Sequence, residues 1–309
     1  LVYRFRDLTA SPDTMVVVNC GGRTRSIIGA QSLINAGFSN KIVSLKNGTQ
    51  DWHLAGYEVV KGATRRPPDV SAAGLAEAQE AAARVAARAG IQSVDPATLE
   101  QWRADQTRTL YVLDVRTPEE YEAGHLPGVR SAPGGQLIQE TDTFCGTWGA
   151  RVVLVDDNGI RATMTASWMQ QMGWETAILT FDPATAVPGL VQGPYTPKRL
   201  GLDGISVAGI DPDALNARLK TGNTVVVDLD YSRPYREGHI PGAWYARRTE
   251  LAAARDKLPQ ADAIVFTSPH GTMAMLAAAE AADLTATPAL ALVGGTQAWI
   301  AAGLPLERG

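Results

Sequence analysis

Leu113-Asp114-Val115, followed by Tyr121 and then Gly124-His125-Leu126-Pro127-Gly128, decides the fold, because the chain says it twice. Val227-Asp228-Leu229, Tyr235 and Gly238-His239-Ile240-Pro241-Gly242 repeat it, with the same interval from aspartate to Gly-His-x-Pro-Gly. Self-similarity at fixed offsets marks repeated structural units. Two further pairs extend the repeat. Val94-Asp95-Pro96 with Leu99 matches Ile210-Asp211-Pro212 with Leu215, each an Asp N-cap with Pro at the first helical position. Asn47-Gly48-Thr49-Gln50-Asp51-Trp52 with Gly56 matches Gly294-Gly295-Thr296-Gln297-Ala298-Trp299 with Gly303.

Strand and helix patterns alternate within each full unit. Val112–Val115 reads as a strand, Pro118–Ala123 as a helix, Val152–Val155 as a strand, Thr163–Gln171 as a helix and Ala177–Thr180 as a strand. That order predicts an α/β fold, a mainly parallel sheet with helices on both faces. Ligands of such sheets bind beyond the carboxyl ends of the strands.

One strand end carries a nucleophile. Val16-Val17-Val18-Asn19 leads into Cys20-Gly21-Gly22-Arg23-Thr24-Arg25-Ser26, and a helical pattern through Ile27, Ala30 and Leu33 follows. A thiol over a helix N-terminus meets backbone N–H groups and the positive end of the helix dipole, which favour the thiolate. The same apolar run recurs before Asp156 and before Ser268. These residues therefore stand where Cys20 stands, Arg161 matches Arg25, and Met273 does not.

Bulk composition narrows the classes. The 309 residues are 45% hydrophobic and 19% charged with a net charge of -4, so neither a nucleic-acid partner nor a membrane is expected. Cys20 and Cys145 are the two cysteines, too few for a disulfide framework, which fits a reducing, cytoplasmic compartment. No CxxC or Cys/His cluster occurs, so no metal or cofactor is expected.

The expected layout is a half unit at 1–66, a linker helix at 67–91, and full units at 92–200 and 201–309. Residues 63–71, with Arg65-Arg66-Pro67-Pro68, read as linker. Residues 72–89 are Ala-rich, with Leu75, Ala82, Val85 and Ala89 at helical spacing, and predict a helix docked on a neighbour. A second junction falls near Gly193-Pro194-Tyr195-Thr196-Pro197. The first unit has no Asp … Gly-His-x-Pro-Gly half, which would leave a sheet edge uncovered. The expectation is an N-terminal segment lost, cleaved, or supplied by a second chain.

These motifs resemble the rhodanese family of sulfurtransferases. Asp114 to Gly128 resembles the family's N-terminal signature, Cys20 to Ser26 its active-site loop, and Gly-Thr-Gln-x-Trp its C-terminal signature. The resemblance implies tandem rhodanese-like domains, one active and two silent, as in bacterial arrays of this kind. It implies a thiosulfate sulfurtransferase-like enzyme that moves sulfane sulfur from thiosulfate or a related donor to a thiol or cyanide through a Cys20 persulfide. Gly21, Gly22, Arg23, Thr24, Arg25 and Ser26 would then bind the anionic sulfur and the donor. Four residues separate Cys20 from Arg25, where related phosphatase loops have five, and by the resemblance this tighter cup suits a sulfur atom, with a phosphatase or arsenate reductase as a further alternative. Asp156, beside Arg161, would fill its own cup as an anion mimic, and Ser268 would sit in a degenerate loop. The alternative is a catalytically weak scaffold or regulatory binding protein.

Other residues read as structural. Cys145 is an incidental thiol, His125 and His239 brace turns, Asp114 and Asp228 brace strand ends, and Trp52 and Trp299 are core or lid anchors. Arg116 and Arg130 read as surface charges, with a place facing a cup as the alternative for Arg116.

Overall fold

Helix starts behave as their capping residues dictate. The Asp95 and Asp211 carboxylates accept from the N–H groups of Thr98 and Ala214 at 2.7 and 2.8 Å, with Pro96 and Pro212 opening their helices. Thr117 and Glu120 form a reciprocal capping box over the helix that begins at Pro118. The computed structural model describes residues 1–9, 11–183, 189–197 and 201–309.

Leu1–Thr196 forms one unit and Pro197–Gly309 a second. The division falls inside the Gly193–Pro197 stretch, whereas the boundary expected at 200 lies on residues 198–200, outside the described residues.

The first unit opens with α1 (Phe5–Leu8), β1 (Val16–Val18), α2 (Thr24–Ala36), β2 (Ile42–Ser44), α3 (Gly48–Leu54) and α4 (Ala72–Ala89). It continues with β3 (Gln92–Ser93), α5 (Pro96–Ala104), β4 (Leu110–Asp114), α6 (Pro118–Ala123), β5 (Arg130–Ser131), α7 (Gly134–Gln139), α8 (Thr141–Phe144), β6 (Arg151–Asp156), α9 (Ile160–Gln171) and β7 (Glu175–Thr180). Strands β1 and β2 make a two-stranded parallel sheet, and the others a five-stranded parallel sheet ordered β3-β7-β6-β4-β5.

The second unit holds β8 (Ala208–Ile210), α10 (Pro212–Thr221), β9 (Thr224–Asp228), α11 (Ser232–Glu237), β10 (Trp244–Tyr245), α12 (Leu251–Arg255), β11 (Ala263–Thr267), α13 (Thr272–Ala282), β12 (Ala289–Leu292) and α14 (Gly295–Ala301). Its parallel sheet, β8-β12-β11-β9-β10, repeats the topology of the other five-stranded sheet strand for strand. The α/β class with parallel sheets is therefore the observed one. Among the described residues no helix is long and apolar enough to cross a membrane.

Helix α4 is a packed element. Ser71 caps it through a hydrogen bond from the Gly74 N–H at 3.0 Å. Ala78, Ala81, Ala82 and Val85 share a core with Ala30 and Leu33 of α2 and with Ile160 and Met164 of α9. The small alanines let the helices approach closely, and burying a side chain such as Leu33 contributes about 1.5–3 kcal/mol. This core joins the segment bearing Cys20 to the following repeat. Ile27 is the exception to the expected apolar stripe of α2; it lies on the solvent side, while Ser26 is buried.

The small sheet differs from the large ones in cover. Val17 of β1 is 48% exposed, whereas its counterparts Val153 and Val265 are fully buried beneath Leu99 of α5 and Leu215 of α10. Trp299 is buried with that same Leu215, but Trp52 is 43% exposed and rests against Tyr57. Trp52 is therefore no core anchor. The elements that bury Trp299 have no counterpart among the described residues before α4.

Candidate active site

Cys20 lies in the turn between β1 and α2, partly buried. Burial acts to raise its pKa, but the Ser26 hydroxyl, the N–H groups of Ser26 and Gly22, and the Arg25 charge outweigh it, and the thiol pKa is lowered. The Ser26 hydroxyl also donates to the Arg23 carbonyl at 2.9 Å, and its O–H can rotate between that carbonyl and the sulfur. Arg25 donates to Oε1 of Gln136 in the next repeat at 2.9 Å. Among the six loop residues expected to cradle sulfur, Gly22, Arg25 and Ser26 act on the thiol, Arg25 from an exposed position.

Alkylation by iodoacetamide should therefore reach half its maximal rate at a pH below that of a free cysteine. Cys145 is buried, and burial pushes its pKa up to about 11. Peptide mapping of the native protein at neutral pH should find label at Cys20 in excess of Cys145 by on the order of tenfold or more. Equal labelling would contradict this electrostatic account of Cys20.

The other two loops have the same construction. The N–H six residues after the key position points back at it each time: Ser26 to Cys20, Ala162 to Asp156 Oδ2 at 3.0 Å, and Ala274 to Ser268 Oγ at 3.3 Å. Asp156 also accepts from Asn158 and Gly159 at 3.3 and 2.5 Å. A side-chain carboxylate thus occupies the loop where Cys20 would hold an anionic sulfur. Burial raises the Asp156 pKa, and Arg161 is close enough for its charge to oppose that rise, but it makes no hydrogen bond to that carboxylate. That guanidinium turns to Glu120 at 2.5 Å and Asp157 at 2.7 Å.

The rhodanese-like domain family model matches residues 95–182 and 211–302, more than half of the chain. The chain belongs to the rhodanese-like domain family. Over its whole length it is 46% identical to a thiosulfate sulfurtransferase from Pseudomonas aeruginosa, with a TM-score of 0.89, and it covers 58% of that protein. A 100-residue stretch, 32% of the chain, is 29% identical to the putative sulfur carrier protein YrkF of Bacillus subtilis (strain 168), covering 50% of it. The chain therefore spans about half the length of these relatives. The matched family segments are the two full repeats; the Cys20 loop lies before them.

The rhodanese-like C-terminal motif has a role that sequence reading did not assign. Thr49 and Gln50 donate backbone N–H bonds to the carbonyls of Cys20 and Gly21 at 3.0 and 3.1 Å. Thr296 and Gln297 do the same for Ser268 and Pro269 at 3.0 and 3.1 Å. Gly48 has φ +61°, and a Cβ there would run into the backbone oxygens of Cys20 and Gly22. Gly21 and Gly22, by contrast, have ordinary φ, and a Cβ on either would meet nothing within 4 Å. The glycine this loop requires lies 28 residues beyond Cys20, and its recurrence as Gly295 was the signal available.

Arg116 corrects another expectation. It is 2% exposed, pairs with the fully buried Asp114 at 2.7 Å, and donates to the Gly124 carbonyl at 2.7 Å. A buried guanidinium needs such satisfaction, and Asp114 can provide it only two residues away. Arg130 is partly buried against the Phe144 ring and donates to the Thr143 carbonyl at 3.2 Å. His125 and His239 stack on Tyr121 and Tyr235 and donate through Nδ1 to the carbonyls of those tyrosines at 2.9 and 2.7 Å. This is the turn-bracing geometry.

Proposed function

We propose that this chain acts as a sulfurtransferase and that Cys20 carries the sulfur as a persulfide. One observation carries the reading: of three loops built alike, that of Cys20 places a thiol, the group that can carry a persulfide, where the others place a carboxylate and a hydroxyl. Similarity to a thiosulfate sulfurtransferase supports it. The Cys20 thiolate attacks the outer sulfur of thiosulfate, the sulfur–sulfur bond breaks, and sulfite leaves with its electron pair. The persulfide anion then rests against the N–H groups of Gly22 and Ser26 and the Arg25 charge. A thiolate or cyanide takes the outer sulfur, and Cys20 leaves as thiolate.

Incubation with thiosulfate should add one sulfur atom at Cys20, read by intact and peptide mass. Cys20→Ser should lower transfer to cyanide by on the order of 10³-fold or more. Absence of loading, or full turnover by Cys20→Ser, would overturn the proposal in favour of a binding scaffold.

A further inference from the structure

A cavity of about 620 Å³ opens beside Cys20, between α2 and the second repeat. Cys20 and Arg25 lie on its wall, and Ile28, Ile138, Ile160, Met164 and Trp168 make much of the rest. Its size is that of a small-molecule site. The charges on the wall are unevenly satisfied. Arg161 is neutralised by Glu120 and Asp157, and Arg116 by Asp114. Among the described residues Arg25 has only the neutral amide of Gln136, and the Leu1 amino group, whose pKa burial lowers toward the uncharged form, also lies on the wall. The cavity therefore favours an anionic or sulfur end at Cys20 and an uncharged, apolar body further in. The silent second repeat supplies most of the apolar wall, and Trp168 is fixed to α2 by its Nε1–H donating to Ser32 Oγ at 2.8 Å.

We infer that the acceptor is an organic thiol with an uncharged apolar body, seated in this cavity against the second repeat. The inference rests on the proposed persulfide at Cys20 and specifies the acceptor of that same site. The acceptor thiolate attacks the outer sulfur of the Cys20 persulfide. A bond forms between the acceptor sulfur and that sulfur, the Cys20 sulfur–sulfur bond breaks, and its electron pair returns to Cys20 Sγ. The acceptor leaves as a persulfide, with no net oxidation or reduction.

The test first confirms loading of Cys20 by thiosulfate, so that a failure of the persulfide reading is seen by itself. Transfer from the loaded protein is then followed with straight-chain alkanethiols from ethanethiol to hexanethiol, whose basicities are nearly equal, and with 2-mercaptoethanesulfonate. The expected result is a rise in kcat/KM of about fourfold per added methylene until the cavity is filled, with the sulfonate poorest. A series flat within twofold, or a preference for the sulfonate, would overturn the inference. Gly135 lies on the cavity wall with open space around its Cβ direction. Gly135→Leu should lower the ratio of hexanethiol to cyanide kcat/KM by on the order of tenfold. An unchanged ratio in a folded variant would place the apolar body elsewhere and overturn the inference, and the alkanethiol series decides the matter if the variant does not fold.

Discussion

Gly48→Ala is expected to lower sulfur transfer by on the order of 10²-fold, because a shift of about 1 Å in a reacting group is enough for that. The added Cβ cannot coexist with the carbonyl oxygens of Cys20 and Gly22. The cup must therefore open, or Thr49 and Gln50 must release the Cys20 and Gly21 carbonyls that they hold. The left-handed backbone at φ +61° adds a cost of about 1–2 kcal/mol for any side chain. Gly56→Ala separates the two effects. It has φ +83° and nothing within 4 Å of an added Cβ. Kinetics of sulfur loading on both variants, with circular dichroism to confirm folding, check the prediction. Equal losses would show that backbone handedness, and not collision with the loop, matters.

Arg116→Met should destabilise the first unit by about 3–5 kcal/mol, the usual consequence of leaving one member of a buried ion pair alone. Asp114 would then be a fully buried carboxylate facing an apolar side chain, and the Gly124 carbonyl would lose its donor. The double variant Asp114→Asn with Arg116→Met should recover a large part of the loss, since no unpaired charge remains. Asp114 in the single variant can escape by protonation, so the loss should shrink as pH falls. Denaturant unfolding at several pH values measures both effects. The third repeat provides a natural comparison. Asp228 occupies the same position, is equally buried, lacks an arginine, and has its pKa raised by that burial.

What the sequence disclosed and what it hid divide along the length scale of the interaction. The paired Asp … Gly-His-x-Pro-Gly passages, the Asp–Pro helix starts and the alanine-rich helix at 72–89 are local, and each is read from a dozen neighbouring residues. The equivalence of Cys20, Asp156 and Ser268 also followed from aligned strands, and the shared N–H six residues on gives it a geometric form. Gly48 was hidden because its steric constraint comes from a loop that folding brings beneath it. Arg116 was misjudged because an arginine's burial is decided by whether the fold supplies a partner. Arg161 is near the Asp156 cup, as its matching position implied, but its hydrogen bonds go to Glu120, on another helix, and to Asp157, which aligned strands could not show. Trp52 and Trp299 occupy the same motif position, and only the surrounding elements make one exposed and the other buried.

The carboxylate of Asp156, bonded to the N–H groups of Asn158, Gly159 and Ala162, shows that two requirements of this loop are separable. Converging amides need an acceptor for the loop to be satisfied, whether or not chemistry occurs there. A residue whose own side-chain oxygens accept those bonds meets that need, and burial raises the pKa of this carboxyl while the amides and Arg161 oppose the rise. The amides of this loop are then satisfied from within the chain. At the position where Cys20 presents a thiol, the second repeat presents a side chain that already occupies its own amides.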